Sequence, residues 1–187
     1  ICEGLVGSEM CIRDRGRPAP FRYKTLDRST HYFWEDEDEP LIAWTDTQRM
    51  AAEMEQRWGV KAQTVMDHLR GSKDAFDLTR GVFLERSLHE RSTYRTGAAW
   101  RLLSRIWKLP LLGTMAQHNR RKLGHPKLAQ FFNRYATYNG SDPHRAPAML
   151  HVIPHLEHGI GTFLPEEGMR AIPCLLYTSP SPRDLRK

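Results

Sequence analysis

The two ends of this chain can be written as antisense translations of one stretch of DNA, which confines the native polypeptide to what lies between them. The run Cys174-Leu175-Leu176-Tyr177-Thr178-Ser179-Pro180-Ser181-Pro182-Arg183-Asp184 can be encoded by a strand whose reverse complement, in a shifted frame, encodes Gly4-Leu5-Val6-Gly7-Ser8-Glu9-Met10-Cys11-Ile12-Arg13-Asp14. Two unrelated protein ends have no reason to be so related. Both resemble translated read-through of a sequencing adapter. Residues 1–15 and 174–187 are therefore expected to be non-native tails and are set aside from fold reasoning. All three cysteines, Cys2, Cys11 and Cys174, fall in these tails, so they carry no redox argument. Residues 16–173 remain, one ordinary domain in length.

Within that segment the charge distribution is uneven. No acidic residue occurs between Arg91 and Ser141, a stretch that carries Arg91, Arg95, Arg101, Arg105, Lys108, Arg120, Arg121, Lys122, Lys127 and Arg134. Such asymmetry points to an anionic partner, a membrane surface or a nucleic acid. No run approaches the roughly 18 apolar residues of a membrane span.

Three β-like runs open the segment: Phe21 to Leu26, Thr30 to Trp34 and Pro40 to Trp44. The second and third flank Glu35-Asp36-Glu37-Asp38-Glu39 and read as a hairpin with a solvated acidic tip. Helical signals follow. Thr45 and Gln48 have capping-box spacing. Met50, Ala51, Met54 and Trp58 make an apolar stripe ending near Gly59. Further helices are expected over Lys61 to Arg70, Asp74 to about Leu88, and Gly97 to Leu109, the last ended or kinked by Pro110. Another passes through Met115 into Arg120-Arg121-Lys122, and Pro126 suits the first turn of the next, through Phe132. After the turn pair Asn139-Gly140 come a short helix near Ala146 to His155 and a strand near Ile160 to Leu164. The fold class read from this pattern is α+β, mainly helical with a few antiparallel strands.

Chemistry-bearing motifs are sparse. His151 and His155 would share a face of an unbroken helix and could ligate a metal, but Pro154 lies between them and His-Glu-x-x-His is absent. His144, His151, His155 and His158 read as satisfied structural groups, and no metal is expected. No nucleophile motif, P-loop or Gly-x-Gly-x-x-Gly occurs. The basic, aromatic stretch around Trp100, Arg101, Arg105, Trp107 and Lys108 suits a helix lying in a membrane interface. A helical subdomain with a solvated basic face is the plainer alternative. Nucleic acid is not an expected partner, because no nucleic-acid motif accompanies the charge.

The block Phe131-Phe132-Asn133-Arg134-Tyr135-Ala136-Thr137-Tyr138-Asn139-Gly140-Ser141-Asp142-Pro143-His144-Arg145-Ala146-Pro147-Ala148 closely resembles the bacterial-type phytoene desaturases, a branch of the flavin amine-oxidase-like enzymes. So do Val152-Ile153-Pro154-His155-Leu156-Glu157 and Gly161-Thr162-Phe163-Leu164-Pro165-Glu166-Glu167-Gly168-Met169. Val82 to His89 and Thr30 to Asp36 resemble other recurring stretches, in the family's order. One departure is Glu167, where the family usually shows Gly-Gly-Met.

The resemblance implies an internal fragment of a two-domain FAD-dependent oxidoreductase: part of the substrate domain and its helical, lid-like region, without the Rossmann fingerprint. It implies desaturation of a long, membrane-dissolved isoprenoid hydrocarbon in carotenoid biosynthesis, with FAD as hydride acceptor. Gly161, Pro165, Gly168 and Met169 are then expected near the flavin, and Arg134, Tyr135, Tyr138 and Asn139 near the substrate. No catalytic acid or base is identified. A channel for such a substrate would be apolar and would open on a bilayer. This gives Trp100, Arg101, Arg105, Trp107 and Lys108 a docking role on anionic lipid and places the parent enzyme in the cytoplasm, peripheral on the inner face of the cell membrane. The fragment by itself is expected to be inactive. Two rivals stand: a desaturase or isomerising oxidoreductase of a modified carotenoid, and a non-catalytic basic helical module that binds membrane or nucleic acid.

Overall fold

The computed structural model describes residues 22–83, 85–86 and 89–173. The two proposed tails lie outside them. The described residues form two compact units: residues 28–160, and a smaller unit that joins 22–27 to 161–173.

In the smaller unit β1 (Tyr23–Thr25) pairs antiparallel with β4 (Phe163–Pro165), Lys24 opposite Leu164. The ladder is extended by Leu26 N–H to Thr162 O and Glu166 N–H to Arg22 O, at 2.9 and 3.0 Å. Tyr23 meets Phe163 edge to face at 5.4 Å. The strand expected at Ile160 to Leu164 thus begins three residues later. Gly161 is the reason, since its φ of 114° suits a chain reversal and not a strand.

The larger unit opens with the expected hairpin, β2 (Arg28–Tyr32) against β3 (Leu41–Trp44), His31 opposite Ile42. Its acidic connection is only partly the solvated tip that composition predicts. Glu39 is exposed, but the Glu37 side chain is 15% exposed and pairs with Lys127 and with Arg57, the latter at 3.3 Å. Trp58 Nε1 donates to the same carboxylate at 2.8 Å. A carboxylate that finds two cations and an indole N–H can leave water at little cost.

Helix α1 (Thr47–Trp58) follows. Its cap is Asp46 and not Thr45: Asp46 Oδ1 accepts from the N–H groups of Gln48 and Arg49 at 2.9 and 3.3 Å. Gly59, at φ 65°, closes it as foreseen. Glu53 binds the helix to the hairpin, accepting from Trp44 Nε1 at 2.6 Å and Ile42 N–H at 3.3 Å.

The two helices expected over 61–70 and 74–88 are one, α2 (Ala62–Phe83). Gly71 costs an interior helix about 1 kcal/mol relative to alanine. A continuous buried stripe through Val65, His68, Leu69, Ser72, Ala75, Phe76, Thr79 and Val82 outweighs it. Helix α3 (Gly97–Arg105) is capped by Thr96 and buries no residue of its own. It lies close to α2 where Gly81 leaves room: a Cβ there would stand 3.1 Å from that of Ala98. A 3₁₀ turn, Ile106–Lys108, then leads to Pro110.

Helix α4 (Met115–Leu123) carries a full capping box between Thr114 and Gln117, and α5 (Pro126–Asn133) starts on its proline. A 3₁₀ turn, Arg134–Asn139, continues α5 and is stopped by Gly140 at φ 61°. The return segment clamps α4 through Met115 N–H to Ala146 O and Ala116 N–H to Pro143 O. The expected helix near Ala146 to His155 is a mixed run. It has a 3₁₀ turn at Ala148–Val152, an α turn at Ile153–His155 and a π turn at Leu156–Ile160. Pro154, lacking an N–H, sits at the start of the α turn, where no N–H is needed. The core gathers Leu41, Trp44, Met50, Met54, Val65, Met115, Leu128, Phe131, Phe132 and Tyr135, so hairpin and helices bury one common surface.

Candidate functional site

The residues of the Arg134 block converge. One 3₁₀ turn projects Arg134, Tyr135 and Tyr138 towards the π turn that carries Glu157 and His158, while β2 adds Ser29 and Tyr32. Glu157 is the centre. Arg134 Nη2 reaches both its oxygens, at 3.1 and 3.0 Å. Tyr138 Oη donates to Oε2 at 2.7 Å, and Ser29 Oγ donates to Oε1 at 2.7 Å. The Glu157 side chain is 9% exposed and that of Arg134 26%.

The guanidinium is also set among rings. Its carbon lies 5.3 Å from the Tyr32 ring, 4.7 Å from Tyr135 and 5.7 Å from Tyr138. Tyr135 Oη and His158 Nε2 share a hydrogen bond of 2.6 Å. Tyr32 Oη and Arg134 Nε are buried and unpartnered.

These contacts decide the protonation states. Burial by itself would push Glu157 up, but the Tyr138 hydroxyl, Arg134 and Ser29 outweigh it and hold the carboxyl below the ordinary range. Burial pushes Tyr32, Tyr135 and Tyr138 up, so all three stay neutral phenols. Burial holds the His158 imidazole below its usual value against the pull of Glu157. The centre is thus a permanent ion pair inside a shell of neutral donors. It can fix β2, the 3₁₀ turn and the π turn in one arrangement and orient polar groups, but it presents no activated nucleophile.

Of the sequence-derived substrate set, Arg134, Tyr135 and Tyr138 belong to this cluster. Asn139 does not: it is exposed, and its carbonyl accepts from Ser141 Oγ at 3.3 Å. Ser29, Tyr32, Glu157 and His158 were not singled out as site residues. Glu157 and Tyr32 do lie within the blocks that carried the resemblance, whereas no spacing in the sequence joins Ser29 to residues 128 positions on.

The proposed flavin set sits on β4 and the turn after it, in the smaller unit. Pro165 is buried, Met169 is 63% exposed, and Gly161 and Gly168 take φ of 114° and 78°. Among the described residues only glycines take positive φ, so Glu167 occupies a conformation open to any residue. Of the docking set, Trp100 and Trp107 are 66% and 76% exposed, and Arg101 and Arg105 are exposed beside them. The Lys108 side chain lies outside the described residues.

Of the candidate histidines, His151, His155 and His158 are packed or hydrogen-bonded, in keeping with a structural role. His158 and His151 are bonded, His151 Nδ1 to Ala148 O at 3.1 Å, but His151 groups with His118 and His68 and not with His155. His155 packs on Phe76 and fills the space beside Gly159. No cluster of metal-ligand spacing occurs among the described residues.

Comparison with known proteins finds the chain similar to carotenoid desaturases over most of its length. It is 39% identical over 160 residues to a 1-hydroxycarotenoid 3,4-desaturase of Flavobacterium sp. (strain P99-3), covering 84% of this chain and 32% of that protein. With a carotenoid 3,4-desaturase of Haloarcula japonica it shares 26% identity over 160 residues, covering 82% and 31%. A shorter match, 34% over 56 residues, joins it to a 4,4'-diapolycopene oxygenase of Methylomonas sp., covering 30% of the chain and 11% of that protein. The chain therefore spans about a third of the length of the two desaturases. No protein-family model matches it.

Two outcomes test this description. Arg134→Met should destabilise the larger unit by about 3–5 kcal/mol in urea titrations, because it strands a buried carboxylate, and adding Glu157→Gln should recover much of that loss. Lowering the pH should also unfold it. Glu157 and His158 both bind protons more weakly folded than unfolded, so their contribution is present above their unfolded values. For His158 it fades below about pH 6.5, and for Glu157 as pH falls below the usual carboxylate range. A thermal midpoint that rises on acidification would contradict the assigned states.

Proposed function

We propose that the chain is a segment of a carotenoid desaturase, an oxidoreductase that introduces double bonds into a long isoprenoid hydrocarbon. The observation that carries this reading is the similarity to two carotenoid 3,4-desaturases over more than four fifths of the chain. The 39% identical relative is a 1-hydroxycarotenoid 3,4-desaturase, which favours a hydroxylated carotenoid as substrate over phytoene. A non-catalytic basic module has no comparable support.

The cofactor proposed for the parent enzyme is FAD, which would supply the acceptor for a hydride as the substrate loses a neighbouring proton. The smaller unit fits a part of such a site. Where Gly168 stands no atom lies within 4 Å of a would-be Cβ, and Met169 beside it is exposed. An open glycine turn with a polarizable neighbour accepts the edge of a flat ring. Gly161 has a local explanation, since its missing side chain leaves room for the Phe163 ring at 3.2 Å. The Arg134–Glu157 cluster serves as a brace for substrate-domain elements, with Tyr135 and His158 its groups best placed to hold or pass a proton.

Helix α3 and its continuation carry the docking reading. Trp100, Leu103, Trp107, Leu111 and Leu112 are exposed beside Arg101 and Arg105, the composition of an interfacial helix. None of the described helices is long and apolar enough to cross a membrane. We place the parent enzyme, accordingly, as a peripheral protein on the cytoplasmic face of the cell membrane.

The decisive experiment extends the coding sequence outward past residues 15 and 173 in source DNA and assays the longer product. It should contain a Gly-x-Gly-x-x-Gly strand turn, carry flavin absorbance, and lengthen the chromophore of a 1-hydroxycarotenoid faster than that of phytoene. No flavin and no spectral change with either substrate would refute the assignment. For docking, Trp100→Ala with Trp107→Ala should weaken pelleting with anionic vesicles about tenfold or more, and salt should weaken the parent chain's binding. Equal pelleting with neutral vesicles would remove the electrostatic part.

A further inference from the structure

Between α3 and α4 the chain passes through Leu109-Pro110-Leu111-Leu112-Gly113, and most of this apolar connection faces away from the core. Leu109 is 8% exposed, but Leu111 is 53% and Leu112 92% exposed. Both ends of the connection are tied down. At its start Leu109 N–H donates to Ile106 O at 3.0 Å, and Leu111 N–H folds back on Leu109 O at 2.9 Å across Pro110, whose ring fixes φ. At its end Gly113 takes φ 89°, and its carbonyl accepts from Ala148 N–H at 3.2 Å. Thr114 then pairs with Pro147 in an isolated β-bridge and caps α4. A connection pinned in this way forgoes the burial of two leucines, and its shape is already set. Covering the leucines with something else therefore costs little further ordering.

The charge around the connection identifies the cover. Leu109 stands in the walls of two clefts against α2, which also share Gly71. Arg101 and Arg105 of α3 line the first cleft, and Arg121 and Lys122 of α4 line the second. The leucines thus follow a residue set between two pairs of cations. The carboxylates in the same walls all belong to α2: Asp67 is paired with Arg70, Asp77 with Lys73, and Asp74 is exposed beside them. The connection and its flanking helices contribute none, since no acidic residue occurs between Arg91 and Ser141. Phe33 supplies the contrast within the same unit. It is 76% exposed, yet it stands at the head of the acidic run Glu35 to Glu39. An anionic bilayer attracts the first of these apolar surfaces and repels the second.

We propose that Leu111 and Leu112 form a wedge that enters the acyl region of an anionic bilayer, with Arg101, Arg105, Arg121 and Lys122 held near the phosphates around it. The wedge presupposes the peripheral docking of α3 and gives it depth: α3 lies on the surface, and its connection to α4 enters it. Docking then draws on cations of both helices.

The test uses the 187-residue chain with Cys2, Cys11 and Cys174 replaced by serine, and with Leu112→Cys or Phe33→Cys introduced to carry an environment-sensitive fluorophore. With phosphatidylglycerol vesicles the label at position 112 should shift to the blue and lose access to aqueous iodide, while the label at position 33 keeps its colour and its access. Leu111→Ser with Leu112→Ser should weaken vesicle binding about tenfold or more and leave the urea midpoint in place. Arg121→Gln with Lys122→Gln should weaken it about tenfold and flatten its salt dependence. A chain that pellets with vesicles while the label at 112 stays in water, or whose serine variant binds as the parent does, would overturn the wedge and leave the docking of α3 standing. A chain that pellets with no vesicle removes both. A blue shift at 112 that grows with protein concentration in the absence of vesicles would assign the leucines to a second copy of the chain, and that also overturns the proposal.

Discussion

A carboxylate that has left water must be answered on every side, and in the larger unit Glu157 sets that requirement. Arg134 neutralises it, Tyr138 and Ser29 complete its hydrogen bonds, and Tyr32 and Tyr135 enclose the guanidinium that approaches it. These partners come from two other pieces of chain, strand β2 and the 3₁₀ turn after α5, and meet Glu157 on the π turn. The irregular helix types follow from this demand. A regular α-helix through 148–160 would advance by a fixed 100° per residue, whereas the mixture of 3₁₀, α and π turns can place Glu157 and His158 on neighbouring partners. Local irregularity is how the chain meets a non-local electrostatic need.

The same reasoning explains what could be read from the sequence. Elements whose signals are local were legible: the hairpin around the acidic run, α1 with its Gly59 stop, α5 with its N-terminal proline, the reversal at Gly140. The misreadings are tertiary. Helices expected separately over Lys61 to Arg70 and Asp74 to about Leu88 are one, because the stripe from Val65 to Val82 is buried along its whole length. Thr45 looked like a cap because its spacing to Gln48 was right, but it is the charged Asp46 carboxylate that accepts from the first free N–H groups, those of Gln48 and Arg49. Glu37 looked solvated because its neighbours are, but Arg57, Trp58 and Lys127, the last 90 positions later, draw it inward.

The candidate site was legible in half. The Arg134 block marks the tyrosines and the arginine, and the resemblance supplied their importance without their geometry. Ser29 carries no sequence signal, because its role lies entirely in what surrounds it.

Helix α3 contributes no side chain to the interior and meets α2 where Gly81 permits close approach. Folding therefore places little constraint on which residues its outer face carries. Sequence drift there should be fast unless something outside the fold selects against it. The spread of substitutions at Trp100, Leu103 and Trp107 among natural variants would then record the history of an interface, while variation at Phe131 or Tyr135 would record only the history of a core.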